Sequence, residues 1–398
     1  MIAASIDDFR WLTSGDAAPW LALAGSLSDS PLECATRLRQ ELSAMRAALV
    51  QEQAELRRRA VRKFSAAPRM FFTVRGLEQA TDETIARYKA SRFAVDEPAA
   101  DLCCGIGGDL MALATRGPTV GVDCDTIVAH VARANLEVVC GESDRMRAEV
   151  QSTDAGEFDV SRFSAWHIDP DRRPEGNRTT RVALHEPSDA AIDALRGANA
   201  NAAVKLAPAA ELPPHWAAEA ELEWIGHDRQ CQQLVAWFGA LASQPGQRTV
   251  TSLDGGTARS FVGNRDVHVE TAIRIGRFLY EPHAAVLAAG IWGDLAARRG
   301  LSPVAARIPY LTGDAAVDDP LLASFEVLEV LPLEIKRVKA ALRTRRVGRV
   351  EIKKRGVPID PETLRRRLAL HGDEALTLIA APHAGKTVAI LARRVRDH

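Results

Sequence analysis

Cysteine is scarce and shows no pairing pattern. The 398 residues hold only six, Cys34, Cys103, Cys104, Cys124, Cys140 and Cys231, and no two stand in a C-x-x-C spacing. That excludes a disulfide scaffold and argues against a zinc ribbon; thiols set largely in apolar runs fit a reducing compartment. Long apolar runs are missing too. No window approaches the roughly 18 apolar residues a membrane span needs, and Met1 to Arg10 has no basic segment ahead of an apolar stretch. The expectation is a cytoplasmic protein with no membrane partner and no metal. Internal repeats and low-complexity tracts are absent as well. Net charge is close to zero, at −1, but it is unevenly spread. From Leu331 to His398 there are 17 lysines and arginines against 7 aspartates and glutamates, so the rest of the chain is acidic. A basic module on an acidic body suggests a polyanion held by the first while chemistry occurs on the second.

With 46% hydrophobic and 26% charged residues, the chain can build two or three real cores. Ser30-Pro31-Leu32-Glu33 has a capping-box pattern, and Leu38, Leu42, Met45 and Leu49 recur at helical spacing, predicting one long helix toward Lys63. A second helix is predicted from Thr81 to about Phe93. From Val95 short β-type runs alternate with helical ones, the pattern of a parallel sheet. Strands are expected at Ala99 to Cys103, Thr119 to Asp123, Arg147 to Gln151, Ala165 to Asp169 and Ala202 to Leu206. A final pair is expected near Glu221 to Ile225 and Leu234 to Phe238, although the latter is ambiguous by period. The stretch around Pro245-Gly246 and Asp254-Gly255-Gly256 reads as loops. Small α+β modules follow, the last with strands at Phe325 to Val330 and Gly348 to Lys353, helices at Leu333 to Arg345 and Pro361 to Leu370, and a closing hairpin.

Asp101-Leu-Cys103-Cys-Gly105-Ile-Gly107-Gly-Asp109 falls where a strand ends and a helix begins. Its glycines let the backbone turn tightly, so that Cys103, Gly105 and Gly107 can approach a ligand at the helix N-terminus. Leu110 stands where a dinucleotide fingerprint needs its third glycine, and no Gly-Lys-Ser/Thr closes a P-loop. Asp101 before the loop and Asp123 after the next strand supply what an adenosyl ligand without phosphates needs: carboxylates for an α-amino group and for ribose hydroxyls. Here the stretch resembles the class I S-adenosylmethionine-dependent methyltransferases. The resemblance implies a Rossmann-like α/β sheet, S-adenosylmethionine as cofactor, Asp123 on the ribose and Asp154 near the adenine amine.

Asp169-Pro170-Asp171-Arg172-Arg173 follows the fourth strand, where that family places its catalytic motif. Amino-methylating members carry Asp/Asn-Pro-Pro-aromatic there. This chain keeps Asp169-Pro170 and departs afterwards, which puts flipped-base chemistry in question. Asp169 or Asp171 can still orient or deprotonate a nucleophile, with Arg172 and Arg173 meeting a phosphate. Lys205, in an apolar strand, is expected at the mouth of the site because a lysine there must be paired or reach solvent. Asp169 with Lys205 is similar to half of the Lys-Asp-Lys-Glu tetrad of ribose 2′-O-methyltransferases. His167 reads as a strand-packing or hydrogen-bonded residue rather than a catalytic base.

Glu326-Val-Leu-Glu-Val-Leu-Pro332, Ile335-Lys-Arg-Val-Lys339 and Val350-Glu-Ile-Lys-Lys-Arg-Gly356 resemble the THUMP-like C-terminal domain of a bacterial branch of these methyltransferases. Lys63-Phe64, Phe72-Thr73, Leu77 to Thr81 and Tyr280 to His283 are similar to the same branch. The branch also looks like a distant relative of guanine-N2 cap methyltransferases, so the resemblance implies RNA, tRNA first, as substrate and partner. Independently of any family, Lys353, Lys354 and Arg355, with Lys336, Arg337, Lys339, Arg343, Arg345 and Arg346, offer phosphate contacts without an aromatic platform. The expected organisation is a helical domain over 1–93, a methyltransferase domain over 94–256, a ferredoxin-like module over 257–324 and a THUMP-like domain over 325–398. The expected function is N-methylation of an RNA base. The alternatives are small-molecule or protein methylation, ribose 2′-O-methylation, and RNA binding without catalysis.

Overall fold

The computed structural model describes residues 4–27, 30–141, 147–172 and 179–395. It divides into two compact units, one formed by Met1–Leu222 with Leu234–Gly246, the other by Glu223–Gln233 with Gln247–His398.

The first unit opens on helices α1 (Ile6–Thr13), α2 (Ala18–Ser26), α3 (Pro31–Glu41), α4 (Ala44–Ala60), α5 (Val74–Gln79) and α6 (Glu83–Ala90). The single long helix expected toward Lys63 is in fact two. Leu42 turns extended at φ −111° and ψ 152°, and the Ser43 hydroxyl accepts from the Arg46 N–H at 3.3 Å, so a new N-cap interrupts the apolar period. Ser30 makes no side-chain cap; the capping box forms instead at Ser5 with Asp8. Leu12, Leu38, Val50 and Leu56 bury the apolar faces of these helices in one core.

The sheet follows: β1 (Ala99–Leu102), α7 (Gly108–Ala114), β2 (Thr119–Val122), α8 (Thr126–Val139), β3 (Ala148–Gln151), β4 (Ala165–Ile168), α9 (Asp189–Ala198), β5 (Ala202–Leu206), α10 (Pro214–Glu219), β6 (Glu221–His227) and β7 (Gln230–Trp237), of which Glu223–Gln233 is counted with the second unit. The strands stand in the order β3-β2-β1-β4-β5-β7-β6. Pairing is parallel from β3 to β5 and antiparallel where β7 joins β5. The ambiguous segment near Leu234 is therefore a strand. Order reverses between β1 and β4, and the carboxyl ends on either side of such a switch point frame a ligand crevice.

In the second unit the hairpin β8 (Arg248–Ser252) and β9 (Arg259–Gly263) fills ground expected to be loop. Then come β10 (Phe278–Pro282), α11 (Ala284–Ala289), α12 (Trp292–Arg298), β11 (Ser302–Ala305), β12 (Ile308–Gly313), β13 (Leu322–Pro332), α13 (Ile335–Thr344), β14 (Val347–Lys354), α14 (Pro361–Leu368), β15 (Glu374–His383) and β16 (Lys386–Arg394). Seven of these strands form one sheet in the order β11-β12-β10-β13-β16-β15-β14, so residues on both sides of position 325 share it. One face, with Leu331, Val350, Leu378 and Leu391, is covered by Val338 and Leu342 of α13 and Leu364 and Leu368 of α14. The other buries Leu279, Tyr310, Phe325 and Ile379. Among the described residues no helix is long and apolar enough to cross a membrane.

Candidate active site

The loop between β1 and α7 turns through left-handed backbone at Cys103 (φ 53°), Gly105 (φ 57°) and Gly107 (φ 91°). Glycine makes the last two cheap. The Gly105 N–H donates to Asp123 Oδ2 at 2.9 Å and the Asp125 N–H to Oδ1 at 3.0 Å, which ties the loop to the end of β2. Burial raises the proton affinity of Asp123 and pushes the Cys103 thiol well up, so Cys103 contributes backbone rather than a thiolate. Asp154, exposed after β3, accepts from the Gly156 N–H at 2.7 Å.

These residues suit an adenosyl ligand. A Cβ placed on Gly105 would meet nothing within 4 Å, so the outer face of the loop is open. Carboxylates stand at the ends of β2 and β3, and the buried Asp101 Oδ2 has no hydrogen-bond partner. Asp101, Cys103, Gly105, Gly107, Asp123 and Asp154, expected from sequence to meet the cofactor, thus come together at the carboxyl edge of β1 to β3.

Asp169 follows β4, and its Oδ2 lies 2.5 Å from Lys205 Nζ of β5. The same ammonium donates to the Gln79 carbonyl at 3.3 Å. Asp171 is paired with Arg75, and Gln79 Nε2 donates to its Oδ1 at 3.3 Å. Its backbone exchanges hydrogen bonds with Glu186 at 2.8 and 3.0 Å, which fixes the loop after Pro170. Arg172 is half-buried at that turn, and Arg173 lies outside the described residues. Arg75 and Gln79 were not foreseen, because α5 is remote in sequence. Lys63 orders that helix: its ammonium donates to the carbonyls of Leu77 and Ala80, both at 2.8 Å, and burial lowers its proton affinity.

Beneath the loop lies a buried cluster that the sequence reading missed. His167 Nδ1 is 2.7 Å from Asp101 Oδ1, its Nε2 is 3.0 Å from Lys89 Nζ, and Lys89 Nζ is 2.7 Å from Asp109 Oδ1. Thr81 donates to Asp109 Oδ2 at 2.6 Å. Of the two readings for His167, packing or hydrogen bonding, the contacts show the second. A signal existed for Lys89: it shares helical spacing with the buried Ile85 and Ala86, and a lysine on an apolar face needs a partner.

In the second unit Lys353, Lys354 and Arg355 have internal partners. Lys353 Nζ is 2.8 Å from Glu281, Arg355 is 3.4 Å from the same carboxylate and lies over the Tyr310 ring, and Lys354 donates to the Ile359 carbonyl at 2.5 Å. Exposed basic side chains also line the helices: Lys336, Arg337 and Arg343 on α13, and Arg365, Arg366 and Arg367 on α14. Among the described residues no cluster of three or more His, Cys, Asp or Glu could hold a metal ion.

A Rossmann-like sheet with this loop and these carboxylates defines a class I methyltransferase. The comparisons agree. The chain is 34% identical over 314 residues, 77% of its length and 83% of the relative's, to an uncharacterized S-adenosylmethionine-dependent methyltransferase of Mycobacterium tuberculosis strain CDC 1551, and equally to its counterpart in strain H37Rv. Residues 322–394 match the THUMP domain-like family and residues 5–60 a domain of unknown function (DUF8688). A solved structure from Porphyromonas gingivalis W83, provisionally assigned to the methyltransferases, superposes with a TM-score of 0.79 at 20% identity, over 95% of this chain and 99% of that one, and so shares its fold. The chain belongs to the S-adenosylmethionine-dependent methyltransferases of class I that carry a THUMP-like domain. It is an enzyme, and its cofactor is S-adenosylmethionine.

Proposed function

We propose that the enzyme methylates structured RNA, tRNA first, at a base nitrogen. The observation that carries this reading is the outer face of α13 and α14, where basic side chains stand in solvent on the segment that matches the THUMP domain-like family. Exposed cations without an aromatic platform suit phosphates and helical shape rather than base edges.

Asp123 would hold the ribose of the cofactor, Asp154 would meet the adenine amine, and the Gly105 and Gly107 backbone would line its approach. When bound, the cofactor supplies a methyl group already activated on its sulfonium. The side chains therefore mainly position the acceptor. Asp169, fixed by Lys205, accepts a hydrogen bond from the acceptor N–H and takes its proton. Asp171, fixed by Arg75 and Gln79, shapes the entrance, and Arg172 at the same turn would meet a phosphate, a role the sequence also gives to Arg173. A second reading, ribose 2′-O-methylation, draws support from the 2.5 Å Asp169–Lys205 pair, since an ammonium beside the acceptor favours a developing alkoxide.

The test is tritium transfer from labelled cofactor into total unmodified RNA by the full chain and by Asp169→Ala, followed by nucleoside analysis of the product. Label in a base-methylated nucleoside, lost in Asp169→Ala, supports the first reading; label in a 2′-O-methyl nucleoside supports the second. No RNA labelling by a protein that binds the cofactor in calorimetry contradicts both.

A further inference from the structure

Asp101 and Asp109 stand at the two ends of the glycine loop, and both are buried. Two side chains from other elements bridge them. His167 of β4 contacts Asp101, Lys89 of α6 contacts Asp109, and the Lys89 and His167 nitrogens meet at 3.0 Å. The loop is clamped at both ends through α6.

Counting protons gives the charge of this clamp. A contact of 3.0 Å between two nitrogens has room for one hydrogen, so imidazole and amine share a single positive charge, whichever of them donates. Two carboxylates face that one cation. With both carboxylates ionised the cluster holds one surplus negative charge at a place nearly closed to water. Asp101 Oδ2 is the carboxylate oxygen left without a partner. Burial works against the Asp109 charge, yet Lys89 holds its carboxyl well below the usual range; burial also raises Asp101, which the His167 contact opposes.

S-adenosylmethionine carries a sulfonium that its product, S-adenosylhomocysteine, lacks. We propose that the buried cluster makes the cofactor site charge-selective: its surplus negative charge favours the cationic methyl donor over the product, and Lys89 and His167 are positioning residues that hold Asp101 as a carboxylate with one oxygen free. The arrangement lets the product leave once the sulfonium charge is gone.

Calorimetry tests this without turnover. Affinities for S-adenosylmethionine, S-adenosylhomocysteine and methylthioadenosine, which has neither the sulfonium nor the amino-acid end, are compared across wild type, Asp101→Asn, His167→Phe and His167→Asn. Removing one buried charge is expected to lower the donor-to-product affinity ratio about tenfold in Asp101→Asn, with methylthioadenosine binding unchanged. His167→Phe, which strips Asp101 of its contact, moves the ratio the same way; His167→Asn, whose amide can donate to Asp101, restores it. A ratio that stays constant in variants still binding methylthioadenosine overturns the proposal, as does an equal loss for all three ligands. Should Asp101→Asn fail to bind methylthioadenosine, the His167 pair decides by the same ratio.

Discussion

Lys89 in the first unit and Lys336 in the second are both helical lysines, and they sit in opposite surroundings. Lys89 is buried, touches Asp109 and His167, and loses proton affinity because water is excluded from it. Lys336 stands in solvent on α13, whose other face packs Val338 and Leu342 against the sheet. A buried charge is committed to internal geometry, since removing its partner strands the remainder in a poor solvent. An exposed charge costs little in either state and is free to meet a partner from outside. The comparison separates the two jobs that the proposed RNA methylation requires: holding a site in shape and gripping the substrate.

The sharpest way to break this contrast is Lys89→Met. It leaves Asp109 without its ammonium, and the expected cost is about 3–5 kcal/mol of stability, read by denaturant unfolding; a change under about 1 kcal/mol would place Lys89 in the same class as an exposed lysine. Next is Asp169→Ala, which should lower methyl transfer about a hundredfold while leaving cofactor affinity near wild type. Equal losses in transfer and cofactor binding would make Asp169 part of the cofactor site instead. If Asp123 holds the ribose as proposed, Asp123→Asn weakens that acceptor and cofactor affinity should fall about tenfold in calorimetry. The smallest effect belongs to the exposed set. Lys336→Gln on α13 should weaken RNA binding only a few-fold, with unchanged thermal stability, and lower the salt slope of binding by about one.

Much of the first unit was legible because its elements are local. The strands β1 to β5 were each placed to within a residue or so, and the loop from Asp101 to Asp109 announced a ligand through its glycines and its position between strand and helix. What sequence could not show was produced by distance along the chain. Arg75, Gln79, Thr81 and Lys89 reach the site only because α5 and α6 fold against β1, β4 and α7, and no spacing rule links residue 89 to residue 167. The break between α3 and α4 rests on one serine hydroxyl competing with an apolar period that continues across it. β8 and β9 were hidden by their setting, since Arg248–Ser252 and Arg259–Gly263 are short, partly polar and separated by Asp254-Gly255-Gly256. Lys353, Lys354 and Arg355 mislead for a related reason: as a run of three cations they look like surface, while Glu281, remote in sequence, draws two of them inward.

The division of labour between buried and exposed charge is tested most directly by single-turnover methyl transfer as a function of RNA concentration, comparing the full chain with a variant carrying Lys336→Glu, Arg343→Glu and Arg367→Glu. The account predicts that half-saturation moves to higher RNA concentration while the rate at saturation is unchanged. A lower saturating rate at unchanged half-saturation would contradict it.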